Sequence, residues 1–318
     1  MASITRSSFA SQGRRGPLIR RKDVIGYLFI SPWIIGFLAF TLLPFIASFL
    51  LSFTDWEIVG RWSWIGLANY QKLLSGVDDN FVTSLSNTLF YAVVNVPGTQ
   101  IIALTLALLL NKKSPGIALF RTLFYIPAIA TGVGTTYLWA QIFSAHGGLL
   151  NTVLGFVGIS GPNWLYSLTW SMPAVIIVGL WNVGTSMLIY LAALQGVPQS
   201  LYDAASVDGA NWYWKFWSVT VPMVTPAMFF NVVLGVIGSF QVFTTVYVLT
   251  AGGPANATLV YSLYLYRVAF QNLRMGYAAA LAWILFLIIL AITVVQLATA
   301  RLWVYYEGSS TGNVAGPR

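Results

Sequence analysis

The chain has 318 residues, of which 58% are apolar and only 8% are charged. A soluble domain usually carries about a quarter charged residues, so the composition excludes an ordinary soluble fold and indicates a membrane protein. The formal net charge is +8, but long apolar runs separate the basic residues, which argues against a nucleic-acid-binding face. The absence of cysteine and the single histidine exclude disulfides and thiolate metal sites, and we expect no bound metal.

Long uncharged runs predict the membrane-spanning segments in chain order. A spanning helix needs about 20 apolar residues. Four of the runs hold one such helix each, and the run at 122–202 holds two. We therefore expect an all-α membrane protein with six transmembrane helices. The predicted spans are 27–52, 83–110, 122–143, 172–195, 226–249 and 277–300.

The basic residues predict the orientation of these spans. Twelve of the 16 basic residues lie in four regions: before span one, between spans two and three, between spans four and five, and after span six. By the positive-inside rule, both termini and the loop after span four are cytoplasmic. We expect a cytoplasmic N-terminal segment at 1–23, a transmembrane domain at 24–302 and a cytoplasmic tail at 303–318.

The segment 259–274, between spans five and six, has a helical pattern of its own. Arg267, Gln271 and Arg274 share one face, and apolar residues cover much of the rest. This pattern predicts a helix that lies in the outer membrane interface with its arginines extended toward water.

None of the six predicted spans contains Asp, Glu or His. Proton-coupled carriers usually hold such a residue within the membrane, because a group there must take up the proton. If this chain moves a solute uphill, the energy must therefore enter elsewhere. The cytoplasmic loop at 196–225 is the only substantial site for that entry.

This loop contains two predicted helices joined at a glycine. The residues from Gln199 to Val207 have helical character, and Gly209 then permits a sharp change of direction. A second helix is predicted from Trp212 to Val221, ending before Pro222.

The side chains of the loop suit contact with another surface. Three alanines, Ala204, Ala205 and Ala210, permit close backbone approach, and Asp203 and Asp208 offer charge-assisted hydrogen bonds. The alternative is an ordinary helix-turn-helix in the interface. Its anchors would be Trp212, Tyr213, Trp214 and Trp217.

The spacing within the loop is specific. Asp203-Ala204-Ala205, three residues, Gly209, nine residues and Val219-x-Val221-Pro222 resemble the EAA motif of bacterial ABC importer permeases. That motif reads Glu-Ala-Ala, three residues, Gly, nine residues and Ile-x-Leu-Pro, so the departures are Asp203, Val219 and Val221. Tyr247-Val248-Leu249-Thr250-x-Gly252-Gly253-Pro254 is similar to the carbohydrate branch, which includes maltose-type and glycerol-3-phosphate-type permeases. The likeness covers roughly 27–302.

The resemblance implies the permease half of a type I ABC importer in the bacterial cytoplasmic (inner) membrane. A cytoplasmic ABC ATPase dimer would bind ATP and Mg²⁺, and a second permease, usually a distinct chain, would complete the path. An extracytoplasmic solute-binding protein would deliver a sugar. The chain itself would be a transport subunit without cofactor or catalytic residues, not an enzyme.

The resemblance also implies which residues couple the chain to the ATPase. Asp203 would make the ionic contact, Gly209 would form the bend, and the alanines would form the close-packed face. The expected coupling residues are Asp203, Ala204, Ala205, Asp208, Gly209, Ala210 and Pro222.

Polar and aromatic residues in the spans are candidates for a solute path, because sugars need hydrogen-bonding groups and stacking rings. The alternative is helix–helix packing, in which Ser, Asn and Gln also take part. The candidates are Asn182, Asn231, Ser239, Phe240, Gln241 and Tyr247. Two other functions stay open, a stand-alone facilitator or channel with an inert loop and a structural membrane subunit without a path.

Overall fold

The computed structural model describes residues 21–58, 60, 62–112, 114–130 and 132–305, with side chains from residue 25 onward. The predicted N-terminal segment therefore lies outside the described residues except for 21–23, which begin the first helix. The tail is described as far as Tyr305. The chain divides into two units, one ending at Leu50 and one beginning at Leu51.

The described residues form helices and one isolated β-bridge, between Thr54 and Trp64. Three five-residue turns are wider π-helices, at Leu38–Leu42, Phe216–Thr220 and Arg267–Gln271. The α-helices are α1 Arg21–Phe37, α2 Leu43–Leu51, α3 Ala68–Leu74, α4 Asp79–Leu110, α5 Ile117–Ile129, α6 Val133–Ile142, α7 Leu149–Phe156, α8 Ser171–Trp181, α9 Gly184–Gly196, α10 Gln199–Val207, α11 Trp212–Lys215, α12 Val221–Phe240, α13 Thr244–Leu249, α14 Tyr261–Tyr266 and α15 Met275–Trp303.

Several of these helices are long and apolar enough to cross a membrane. Four continuous ones qualify: Ile25–Leu51, Asp79–Leu110, Trp212–Phe240 and Met275–Trp303. Two bent pairs could each form one more span, with a bend of 104° between α5 and α6 and of 42° between α8 and α9. The described part of the chain thus holds four to six spans, a range that includes the predicted six.

The prediction that a helix ends before Pro222 is wrong. The helical backbone continues from α11 through a π-turn into α12, where the Val221 N–H bonds to the Phe216 carbonyl five residues back. The same pattern precedes Pro44, where the Leu43 N–H bonds to the Leu38 carbonyl. A widened turn just before a proline relieves the clash between its ring and the preceding turn, so the helix need not stop.

The fifth span also ends earlier than the pattern predicts. Helix α12 stops at Phe240, and α13 is a separate short helix. The apolar run continues across this break without a proline, so periodicity alone gives no signal. At this break the Phe240 carbonyl accepts a hydrogen bond from a distant residue, the Ser262 hydroxyl, over 3.3 Å.

The segment 259–274 does not turn its apolar face outward, as a helix lying on the surface of the bundle would. Leu263 of α14 and Val268 of the π-turn that follows are almost fully buried in the core. The Thr88 hydroxyl of α4 accepts a hydrogen bond from the Tyr261 N–H over 2.8 Å, and the Tyr261 hydroxyl donates to the Leu281 carbonyl of α15. Contacts with two spans therefore override the amphipathic pattern.

Candidate functional site

The loop helix, as we call α10, ends in a well-defined glycine cap. Gly209 has a φ of +78°, a conformation that glycine adopts without steric cost. The Gly209 N–H bonds to the Ser206 carbonyl, and the Ala210 N–H bonds to the Ala205 carbonyl. This pair of bonds is the Schellman motif, which satisfies the last carbonyls of a helix. The predicted change of direction at Gly209 is therefore confirmed.

The surface of the loop helix is open. Asp203, Ala204 and Asp208 are exposed, while Ala205 and Ala210 are half-buried. The Asp203 carboxylate accepts one hydrogen bond, from the Gln199 side-chain amide of the previous turn over 3.1 Å. The described part of the chain therefore leaves most of the capacity of this carboxylate available to another molecule.

The loop helix is attached to the long helix that follows it. The Asn211 side chain caps α11 by accepting from the Trp214 N–H. The hydroxyls of Tyr202 and Thr220 lie 3.0 Å apart, which joins the loop helix to the π-turn before Pro222. Because Trp212 to Phe240 is one continuous helix, a displacement of the loop helix can pass directly into a membrane-spanning element.

A polar cavity of about 310 Å³ lies between α4, α8, α9 and α12 and the α5–α6 bend. Its lining contains no charged side chain among the described residues, but it is rich in hydroxyls and amides. These polar lining residues are Asn95, Thr99, Gln100, Thr135, Thr136, Asn182, Ser186, Ser239 and Thr245. Uncharged groups of this kind suit a neutral, hydroxyl-rich solute.

Two aromatic residues and a glycine shape this cavity. Trp181 and Tyr91 line it, and the Trp181 ring packs edge-on against Trp139 at 5.5 Å. A β-carbon on Gly179 would clash with the Asn95 amide and lie 2.5 Å from the Tyr91 hydroxyl. A larger residue at 179 would therefore displace the Asn95 and Tyr91 side chains, which line the cavity.

The structure brings only part of the predicted solute path together. Asn182 and Ser239 line the cavity, whereas Phe240, Gln241 and Tyr247 do not. Phe240 is buried in the core, Gln241 is exposed just beyond the end of α12, and the Tyr247 ring stacks on Phe243.

Asn231 serves helix packing in this structure. Its buried side-chain amide donates to the Ser186 carbonyl over 3.4 Å. Its backbone carbonyl accepts from the Gln100 side-chain amide. The Tyr190 hydroxyl donates to the same glutamine. These bonds connect α4, α9 and α12 beside the cavity.

Sequence reasoning missed the contribution of α4 to the cavity. Asn95 and Thr99 are four residues apart and share one helix face, and Gln100 directly follows Thr99. That spacing could have identified them before the structure.

The N-terminal end of α4 carries a second polar cluster, the Asp78 clamp. Its members are Asp78, which caps α4 by accepting from the Phe81 N–H, and Tyr264 and Tyr277, whose hydroxyls donate to the Asp78 carboxylate over 2.5 Å. Burial raises the pKa of Asp78, but the two hydroxyls, the Phe81 N–H and nearby Lys72 outweigh it, so the pKa is lowered overall. The clamp therefore holds an ionised carboxylate.

No group of three or more potential ligands from His, Asp and Glu that could bind a metal occurs among the described residues.

A family model described as "Binding-protein-dependent transport system inner membrane component" matches residues 27–303. The chain is 42% identical over 293 residues to the "Probable ABC transporter permease protein YesP" of Bacillus subtilis (strain 168), covering 91% of this chain and 94% of that protein. It is 36% identical over 295 residues to the "Lactose transport system permease protein LacF" of Rhizobium radiobacter, covering 90% and 97%. It is 32% identical over 284 residues to the "Trehalose/maltose transport system permease protein MalF" of Thermococcus litoralis, covering 88% and 95%.

The fold is similar to that of a chain in a crystal structure of a bacterial alginate ABC transporter in complex with an alginate pentasaccharide-bound periplasmic protein. The TM-score is 0.78 at 24% sequence identity, and the match covers 88% of this chain and 95% of that chain. The helices of the two chains are therefore arranged in the same way.

Proposed function

The chain belongs to the family of binding-protein-dependent transport system inner membrane components, and we propose from this premise that its cargo is a sugar or an oligosaccharide. It is a permease subunit of an ABC importer. The proposed cargo is supported by relatives named for lactose and for trehalose/maltose that match nearly their whole length. The uncharged hydroxyl and amide lining of the cavity agrees with such a cargo.

The loop helix is the proposed docking element for a cytoplasmic ABC ATPase dimer, which would bind and hydrolyse ATP with Mg²⁺. The observation that carries this proposal is its exposed Asp203-Ala204 face, closed by the Gly209 cap and joined to a membrane-spanning helix. Ala205 and Ala210 flank this face, Asp208 lies at its end, and Pro222 follows the π-turn. The chain would supply the mechanical connection and no catalytic group.

The proposed topology has six spans with both termini in the cytoplasm of a bacterial cell, and the chain lies in the inner membrane. The distribution of basic residues supports the orientation, and the two bent helix pairs supply spans three and four. An extracytoplasmic solute-binding protein and a second, non-identical permease complete the assembly. Asn182 and Ser239 would then line part of the path between the two permeases.

The test is to purify the chain with the proteins that assemble with it and reconstitute the complex in proteoliposomes. ATP hydrolysis and uptake are measured with a panel of neutral and acidic saccharides, each with and without the binding protein. Turnover stimulated by one saccharide and dependent on the binding protein is the expected result. Equilibration of the solute by the chain alone, without ATP, would instead identify a facilitator.

A further inference from the structure

A second cavity, the interfacial groove, lies between the C-terminal end of α4 and the start of the long helix after the loop helix. It has a volume of about 370 Å³, and its walls include Leu108 and Leu109 of α4 on one side and Trp212 and Phe216 on the other. Leu109 and Trp212 are largely exposed, so the groove opens on the outside of the helix bundle. It is separate from the polar cavity described above.

The charge of this groove is positive. Lys112 and Lys215 both line it, and neither forms an ion pair with a carboxylate among the described residues. The remaining polar wall consists of the hydrogen-bonded hydroxyls of Tyr202 and Thr220. Two cations above an apolar floor are complementary to an occupant that is anionic at one end and apolar at the other.

The position of the groove relative to the membrane narrows the choice of occupant. The helix that forms one wall exposes Trp212, Tyr213, Trp214 and Trp217, and such aromatic rings concentrate at the headgroup level of a bilayer. Lysines near the cytoplasmic surface attract anionic lipids, whereas a free anion would leave the apolar floor uncovered.

We propose that the interfacial groove binds an anionic glycerophospholipid of the cytoplasmic leaflet, with the phosphate between Lys112 and Lys215 and an acyl chain along Leu109. The choice of leaflet rests on the orientation given under the proposed function. The lipid would also contact Tyr202 of the loop helix, so its binding favours one position of that helix relative to α4.

The test is native mass spectrometry of the full-length chain, purified with its assembled partners and incubated with phosphatidylglycerol or with phosphatidylcholine of the same acyl composition. The wild type is expected to retain phosphatidylglycerol preferentially. The double variant Lys112→Gln/Lys215→Gln should lose roughly twenty-five-fold in phosphatidylglycerol retention, because each lysine near an anionic lipid contributes about fivefold. Lys112→Arg/Lys215→Arg should keep it, since both cations remain.

The control is Arg301→Gln, which removes a cation from a residue outside the groove and should leave retention unchanged. Equal retention of both lipids, or unchanged retention in the Lys112→Gln/Lys215→Gln variant, would overturn the proposal. Retention of inorganic phosphate in place of lipid would also overturn it. Loss of the co-purified ATPase with unchanged lipid would assign the groove to a protein partner instead.

The binding-protein-dependent ATPase activity of the wild type is measured on the same preparation. If that activity is absent while phosphatidylglycerol is still retained through the two lysines, the proposed function fails and the lipid site stands.

Discussion

The carboxylates at the two ends of the helix bundle differ in exposure and in the number of hydrogen bonds that they accept. At the loop helix, Asp203 is exposed and accepts one hydrogen bond from a neighbour on its own helix. In the Asp78 clamp, one partly buried carboxylate accepts from two tyrosines and a backbone N–H and so joins α4 to α14 and α15. The Asp78 carboxylate has its hydrogen-bond partners within the fold, whereas most of the hydrogen-bonding capacity of the Asp203 carboxylate is available to another molecule.

This difference separates stability from function along the chain. A carboxylate with several partners in its own fold contributes to folding, and its removal leaves buried donors unpaired. An exposed carboxylate contributes little to folding and is free to meet another protein. Substitutions at the loop helix should therefore impair transport without unfolding the chain, and substitutions in the clamp should do the reverse.

The largest expected effect is at the loop helix. Asp203→Lys reverses the charge of the proposed docking face, and Gly209→Leu adds a side chain where φ is +78°, at a conformational cost of about 1–2 kcal/mol. Either variant should reduce ATP-dependent uptake to the level of vesicles without ATP. Membrane insertion, measured by fractionation and protease accessibility, should be unchanged.

The control is Gly196→Leu, at a glycine with an ordinary φ and open space around its α-carbon. It should keep most of its uptake. Normal uptake by Asp203→Lys and Gly209→Leu at normal expression would remove the loop helix from the coupling role.

The second expected effect tests the clamp. Asp78→Asn replaces the carboxylate that accepts from Tyr264 and Tyr277, and hydrogen bonds to a charged group are worth about 2 kcal/mol each. The asparagine oxygen can still accept one of these bonds, so the free energy of unfolding of the detergent-purified protein should fall by roughly 2 kcal/mol, seen as a lower Tm. If the variant loses uptake at an unchanged Tm, the division between the two ends is wrong.

The third prediction concerns the polar cavity between these ends. Asn182→Ala should reduce uptake several-fold without lowering the amount of assembled complex, because Asn182 lines the cavity. Gln241→Ala should have little effect, since Gln241 is exposed and lies outside it. The opposite result would place the solute path along the face that carries Gln241, and equal losses of uptake and assembly would indicate a packing role.

The smallest expected effect is the pH dependence of the clamp. Because the pKa of Asp78 is lowered in the folded protein, its contribution to stability is present above the ordinary carboxyl pKa of about 4 and is lost as the pH falls below it. The Tm of the wild type should decrease more steeply than that of Asp78→Asn between pH 5 and pH 3. Parallel curves would show that Asp78 does not carry this dependence.

The sequence was sufficient for elements that depend on local chemistry. The predicted helix from Gln199 to Val207 and the change of direction at Gly209 are both present, because helix formers, a proline before them and a glycine after them act within a few residues. The long apolar runs likewise marked the continuous spans, since lipid requires a helix of about 20 apolar residues.

The sequence was insufficient where distant contacts decide the structure. At the break after Phe240, the Phe240 carbonyl accepts from Ser262, which is 22 residues away in the chain. The burial of Tyr261 depends on Thr88 and Leu281. The continuation past Pro222 depends on a π-turn that no single residue announces. The lining of the cavity was predicted incompletely for a similar reason, because Asn182 and Ser239 line it together with residues from α4, which is distant in the chain.

The unbroken helix from Trp212 to Phe240 has a mechanical consequence. Its 29 residues form a rod about 43 Å long at 1.5 Å per residue, with the tryptophan-rich segment at one end and Ser239, at the wall of the cavity, at the other. A tilt of about 5° at the first end would move the second by roughly 4 Å over that length. A small rotation imposed at the membrane surface is thus amplified into a displacement of several ångström at the wall of the cavity.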